Sequence, residues 1–330
     1  MQTSCPQNVT RPDAAFLIVG HARTFTKEPV ARDMLQNAIR SFEARAYNFF
    51  VLSNDDHGST KGHTKVNNSE RAVRAAIAPF EPAAFRYDLV DSRRPRVPVD
   101  CTLGSDFNRS AQLRAYASDQ PWLLAWWQTW DRLRSAFGLV VAYESSHMLR
   151  FEWVVRLRPD AWFFRPGFAF CTLNPADGVV TPSGIAGCSA PCINDHLAWI
   201  PRQFADGYFD AAEELENCHD PSVFLRRMRD YGHFLYHRLL RRGVRVAPAR
   251  LVPYTLARPC SSFHIDAAAV ADCNRIGHDS GAHPGGKLLM ALESTREWHH
   301  ESIAECVKQW TWPPGVPAGG SPRPHFNQVC

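Results

Sequence analysis

Residues 151–166, FEWVVRLRPDAWFFRP, constrain the chain more than any other stretch. Trp153, Val155 and Leu157 alternate with Val154, Arg156 and Arg158, the two-residue period of a β-strand, and the run then meets Pro159-Asp160. One face of the strand is apolar, and the other carries two arginines and ends at a carboxylate. A central strand of an α/β sheet is covered on both faces, and a buried guanidinium with no anion or water beside it costs several kcal/mol. Two arrangements meet that demand. In one, an Arg/Asp ion pair closes a core strand. In the other, the arginines and Asp160 open into a cleft that receives a polyanion and a metal, as open sheets bind ligands beyond the carboxyl ends of their strands.

The flanking pattern supplies the sheet. An apolar run over 14–20 reads as a buried first strand, with a helical pattern over 30–42, a second strand over 47–53, a helix over 70–77 and a third strand over 84–90. Strand and helix alternate, the mark of an α/β architecture with a mainly parallel central sheet and helices on both faces. Residues 120–149 form the longest helical stretch, with Trp122, Trp126, Trp127, Trp130, Leu133, Phe137 and Val141 near helical spacing and Gly138 as a possible interruption. A stripe at that spacing is more often core than a stacking platform for sugars or bases. Beyond the central strand come short strands over 178–182 and 197–200, helices over 204–215 and 221–242, and a strand over 244–252. The signal fades from 266 onward, and 313–330 is rich in proline and glycine. The chain thus divides into a polar lead (1–13), one main domain (14–265) and an extension (266–330).

A net charge of +4 argues against a nucleic-acid partner held by a broad basic face. No window approaches the ~20 apolar residues of a membrane span, and 1–11 lacks the apolar heart of a signal peptide, so the chain as given is expected to be soluble. Its compartment stays open between the cytoplasm and, where a leader or anchor is missing, a Golgi or secretory lumen. Ten cysteines and the Asn-x-Ser/Thr triplets at Asn8, Asn67 and Asn108 would suit a lumen. Cys188, Cys192, His196, Cys218 and His219 hint at zinc, but finger-type spacing is not completed, and a local disulfide or buried thiols fit better.

Three sites carry candidate chemistry. After the first strand, Gly20-His21-Ala22-Arg23-Thr24 places a glycine, basic side chains and a hydroxyl just before a helix, a setting that favours phosphate. A plain strand-to-helix turn has the same composition. After the second strand stand Asn54, Asp55 and Asp56, fit for a nucleoside or for a polar turn. Asn194, Asp195 and His196 precede the strand over 197–200 and can accept, donate or shuttle a proton, or else form an Asx turn or helix cap.

Taken together, the turn at Gly20, the R-x-R-P-D strand and the N-D-H stretch resemble nucleotide-sugar glycosyltransferases of the GT-A fold. More narrowly, they resemble a group of glycosyltransferase-like proteins from algae, plants and their viruses. The resemblance covers roughly 14–254. It implies a Rossmann-like GT-A fold and a sugar passed from a nucleotide-diphosphate donor to a carbohydrate or other hydroxyl acceptor. Gly20, His21, Arg23, Asn54, Asp55, Arg156, Arg158 and Asp160 would hold the donor, with Mn²⁺ or Mg²⁺ on Asp160. Asp195, or His196 in its place, would be the general base. Only Asp160 of the family's Asp-x-Asp motif is present, with Arg158 two residues before it and Trp162 two residues after, so the arginines could neutralise the diphosphate directly. Two other classes fit the same residues: a sugar- or nucleotide-binding protein without catalysis, and a metal-dependent hydrolase using Asp55, Asp56, Asp160, Asp195 and nearby histidines.

Overall fold

The computed structural model describes residues 4–22, 24–26, 28–54, 68–88, 121–163, 166–182, 193, 196–211, 231–249, 254–260 and 287–291. Strand β1 (Asp13–His21) is the first consequence of the sequence, because both of its faces are apolar. Ala14, Phe16 and Ile18 enter one core, and Ala15, Leu17 and Val19 enter another on the opposite side of the sheet. A strand buried on both faces belongs in the interior of a sheet. β1 accordingly lies between β2 (Arg45–Ser53) and β4 (Trp153–Leu157), parallel to both.

Among the described residues the main sheet has seven strands in the order β3-β2-β1-β4-β7-β6-β8, where β3 is Pro82–Asp88, β6 is Val179–Pro182, β7 is Leu197–Pro201 and β8 is Val246–Ala249. β4 holds the middle position, as its alternation predicts. From β3 to β4 all neighbours are parallel. β7 runs antiparallel to β4 and to β6, while β6 and β8 pair in parallel. A smaller sheet, β10-β9-β5, joins Ala161–Phe163 (β5) to Tyr254–Cys260 (β9) and Lys287–Ala291 (β10).

Helices cover both faces. On one side lie α1 (Glu28–Met34), its continuation to Phe42, and α2 (Glu70–Ile77), which contribute Met34, Leu35, Ile39, Phe42, Val73 and Ile77 to the first core. On the other lie α3 (Pro121–His147), α4 (Arg202–Phe209) and α5 (Tyr231–Arg241). Trp130, Leu133 and Phe137 of α3 are buried there, so the described part of the aromatic stripe is core; the side chains of Trp122, Trp126 and Trp127 lie outside those described. Gly138 does not interrupt α3, and Val141 reaches the surface. Just past the end of α5, Gly243 with a φ of +70° and the Val244 N–H to Leu239 O bond of 2.9 Å form a glycine stop. Arg238 is fully buried and donates to Gly207 O at 2.9 Å, so it belongs to the core. Among the described residues no helix is long and apolar enough to cross a membrane.

The helical path after α1 departs from the simple pattern. Leu35–Ile39 forms a π-turn, in which the Asn37 carbonyl accepts from Gly167 N–H at 2.7 Å and from Ser41 Oγ at 2.6 Å. The Asn37 amide donates to Phe163 O at 2.7 Å, and Trp162 Nε1 donates to Asp33 at 2.8 Å. Single π-turns mark places where a helix serves an outside partner. Here the partner is β5 and the segment after it, which are thereby held from the α1 side.

One disulfide lies among the described residues. Cys5 is bonded to Cys171, 166 residues along the chain, and this disulfide ties the N-terminal lead to the 3₁₀ turn after β5. The stretch at Cys188, Cys192, Cys218 and His219 lies outside the described residues.

Candidate functional site

Parallel strands bring their carboxyl ends to one edge of a sheet, and an antiparallel strand brings its beginning there. The ends of β1, β2, β3 and β4 therefore meet the start of β7 along one edge. The backbone records the convergence. Ala22 N–H donates to Ser53 O at 2.9 Å, Asn54 N–H to Asp88 O at 3.2 Å, and Arg158 N–H to His196 O at 3.0 Å.

Gly20 sits where this edge is most crowded. Its φ is +146°, and a Cβ added there would lie 3.1 Å from Pro159 Cδ. Both facts require glycine, since L side chains rarely adopt that backbone and the proline ring would have to give way. The end of β1 thereby packs directly against the Arg158-Pro159-Asp160 turn. Next to it, His21 Nδ1 and Ser53 Oγ are 2.9 Å apart, linking the ends of β1 and β2.

Asp160 is 1% exposed. Arg158 grips it with two parallel bonds, Nε to Oδ1 at 2.9 Å and Nη2 to Oδ2 at 3.1 Å, while its own side chain keeps 20% exposure. Such forked pairs are the strong and orienting kind of ion pair. The Arg158–Asp160 ion pair is thus formed in this turn, with the arginine still partly open to solvent. Arg156 takes a separate path: it is 1% exposed and donates from Nη1 to the Tyr208 hydroxyl on α4 at 3.2 Å, beneath the sheet rather than at its edge.

Asn54 organises the next part of the edge. Its side-chain oxygen accepts from Asn68 N–H at 2.9 Å, the Asn68 side-chain oxygen accepts from Thr26 Oγ1 at 2.8 Å, and the Tyr87 hydroxyl donates to Asn68 O. Burial, reinforced by the negative charge of Glu70, holds the Tyr87 phenol above its ordinary pKa. Asn54 thus acts as a clasp that fixes where the chain returns to the sheet before α2. Sequence reasoning missed Asn68 and Tyr87, and nothing in their local pattern marks them.

The structure therefore gathers Gly20, His21, Asn54, Arg158, Asp160 and the backbone of His196 at one edge, and sets Arg156 apart from it. Arg23, Asp55, Asp56, Asn194 and Asp195 lie outside the described residues. Both Asp160 oxygens accept from Arg158, and among the described residues no three His, Cys, Asp or Glu side chains stand together as a ligand set.

The fold and edge define an α/β protein of Rossmann-like layering with its candidate site at the carboxyl ends of the strands. No protein-family model and no curated protein matches the chain. Among solved structures, it is similar to the glycosyltransferase GlyE of Streptococcus pneumoniae TIGR4, with 9% identity and a TM-score of 0.33 over 73% of this chain and 45% of GlyE. It thus spans under half of GlyE's length. It is also similar to the galactosyltransferase LgtC, solved with donor and acceptor sugar analogs (11% identity, TM-score 0.34, 92% of this chain and 98% of LgtC). A third is a nucleoside-diphosphate-sugar pyrophosphorylase from Vibrio cholerae RC9 (13%, 0.33, 72% and 91%). Likeness at this level says nothing of what the edge binds.

Proposed function

We propose that this edge binds a nucleotide-sugar through its diphosphate and that the protein transfers the sugar to a hydroxyl acceptor. The observation that carries the reading is the convergence of the β1, β2 and β4 ends with the beginning of β7, where the partly exposed Arg158 is fixed in orientation by Asp160. Breaking the bond from the sugar's anomeric carbon to the diphosphate leaves negative charge on the phosphate oxygens, and oriented guanidinium donors stabilise that charge. A guanidinium has five N–H donors in a rigid fork, so one arginine can hold a carboxylate and also meet a phosphate oxygen. In this reading Asp160 aims Arg158, and Arg23 joins it from the Gly20 turn.

Asn54 and Asp55 are proposed to face the nucleoside, and His21 the phosphates. Asp195 is proposed to take the proton of the acceptor hydroxyl as the new bond forms, with His196 as the alternative base. A Mn²⁺ or Mg²⁺ ion on Asp160 would have to displace the Arg158 fork. Charge neutralisation is therefore assigned to arginine, and metal dependence becomes an arm of the test. Arg156, paired with Tyr208, is proposed to support the strand rather than touch the donor.

The test is a turnover assay with a panel of nucleotide-sugars, followed by mass spectrometry of the released nucleotide and of added glycosides, each with and without Mn²⁺. Release of a nucleoside diphosphate with a matching glycoside supports transfer. Binding with no release would mean a nucleotide-binding protein without catalysis, and release of a monophosphate would mean a hydrolase that cuts the diphosphate. Asp195→Asn should keep donor binding while transfer falls by about 10²–10⁴.

A further inference from the structure

We infer that Asn8 is an N-glycan acceptor and that the chain folds in an oxidising secretory lumen. Two independent observations meet in one short segment. Asn8-Val9-Thr10 is an Asn-x-Thr triplet with no proline at its centre, the pattern that lumenal oligosaccharide transfer requires. Asn8 lies in an exposed turn closed by Val9 N–H to Pro6 O at 3.2 Å, and Thr10 is exposed beside it. Three residues upstream, Cys5 is joined to Cys171, and bonds of this kind form and persist in oxidising compartments. The compartment that makes the disulfide is the one that carries N-glycosylation in eukaryotic cells.

The segment is also held so that a glycan can stand clear of the body. Cys5 is fixed by the disulfide and by its N–H to Glu43 Oε2 at 2.8 Å, and Pro12 O accepts from Arg45 N–H at 2.9 Å where β1 and β2 begin. Residues 6–11 are exposed between those two anchors. The triplet that begins at Asn67 is placed otherwise: its serine, Ser69, caps α2 by accepting from Ala72 N–H at 3.2 Å, and Asn68 is buried. Asn67 and Asn108 themselves lie outside the described residues.

Position gives a second consequence. Asn8 precedes the start of β1, whereas the candidate edge lies at its end. The nine residues of β1, at about 3.3 Å each, put roughly 25–30 Å of strand between them. A glycan on Asn8 would leave donor binding unchanged.

The test uses the full chain isolated from the cells that make it. Non-reducing digestion should yield Cys5 and Cys171 in one linked peptide, and both should resist alkylation until a reductant is added. Enzymatic release of N-glycans in ¹⁸O water should convert Asn8 to ¹⁸O-labelled aspartate. In the same cells Thr10→Ala should abolish the label, Thr10→Ser should keep it, and Asn8→Gln should bind nucleoside diphosphates as the wild type does. Recovery of Asn8 as unmodified asparagine, alkylation of Cys5 without reductant, or a label that survives Thr10→Ala would overturn the assignment. None of these outcomes depends on whether the protein transfers sugar.

Discussion

Gly20 and Pro159 touch across the ends of β1 and β4: the space a Cβ would need at Gly20 is 3.1 Å from the proline ring, and its φ is +146°. Pro159 stands between Arg158 and Asp160, so the contact lies within the turn that carries their ion pair. Gly20→Ala must meet both a backbone conformation that costs about 1–3 kcal/mol and a crowded proline. We expect a lower urea midpoint and weaker nucleotide binding together. A variant with the wild-type midpoint would show that the two strand ends are not in firm contact.

The Arg158–Asp160 pair predicts an asymmetry. Removing one partner of a buried ion pair strands a charge, at about 3–5 kcal/mol when both are buried. Asp160 is 1% and the Arg158 side chain 20% exposed, so Arg158→Ala should fall near the low end of that range. Asp160→Asn keeps the shape and one acceptor and should cost less, yet it frees the guanidinium to reorient and should weaken donor binding. Because Asp160 is buried, substitution there acts on stability as well as on binding, so both must be measured on the same protein. If the double variant Arg158→Met/Asp160→Leu is as unstable as Arg158→Ala, the stranded carboxylate is not the source of the loss.

Much of this fold was legible in the sequence because burial on two faces leaves an unambiguous pattern. β1 and β4 follow from it, and α2 occupies the stretch its periodicity predicts. The direction of β7 was not legible: Leu197 to Pro201 is buried throughout, and a fully apolar strand reads alike in parallel and antiparallel pairs. That direction matters, since it brings His196 to the site edge. The small sheet was missed because β5 is only three residues long and continues the central run without a break in hydrophobicity. The Cys5–Cys171 bond and the Arg156–Tyr208 contact join residues 166 and 52 positions apart. Such pairings depend on topology, which composition and spacing do not encode. Asn54 was noted for its place after a strand, but its bond to Asn68 came only with the fold.

Away from the edge, Glu144 and Arg202 make the second strong pair. Glu144 accepts from Arg202 Nε and Nη2, each at 2.9 Å to its nearer oxygen, and from Phe151 N–H at 3.1 Å. Their side chains are 9% and 11% exposed, and the hydrogen bond to Glu144 holds the Arg202 guanidinium above its ordinary pKa. The pair fastens the end of α3 to the start of α4. Glu144→Ala should cost about 3–5 kcal/mol, with little relief from salt. Arg202→Lys, which loses the fork, should recover only part of the stability in chemical denaturation.

Tyr87 gives a pH dependence of known sign. A phenol whose pKa is raised in the folded state binds its proton more tightly there than in the unfolded chain. Its contribution is complete below the ordinary tyrosine value, about 10, and is lost as pH rises through the higher folded value. Stability should decline on the alkaline side of pH 10 in the wild type, and Tyr87→Phe should be less stable at neutral pH with a flatter alkaline slope. Equal slopes in the two proteins would remove Tyr87 from the balance.

The central claim is that the edge formed by β1, β2, β4 and the start of β7 binds the diphosphate of a nucleotide. Thermal denaturation in the presence of nucleoside diphosphates tests it directly, because a ligand that binds the native state alone raises its stability by RT ln(1 + [L]/Kd), about 2.7 kcal/mol at 100 times Kd. At least one diphosphate should raise the midpoint of the wild type while the matching nucleoside does not, with or without Mn²⁺, and Arg158→Met should lose the shift while remaining folded. A midpoint indifferent to every nucleoside diphosphate, with and without metal, would contradict the account.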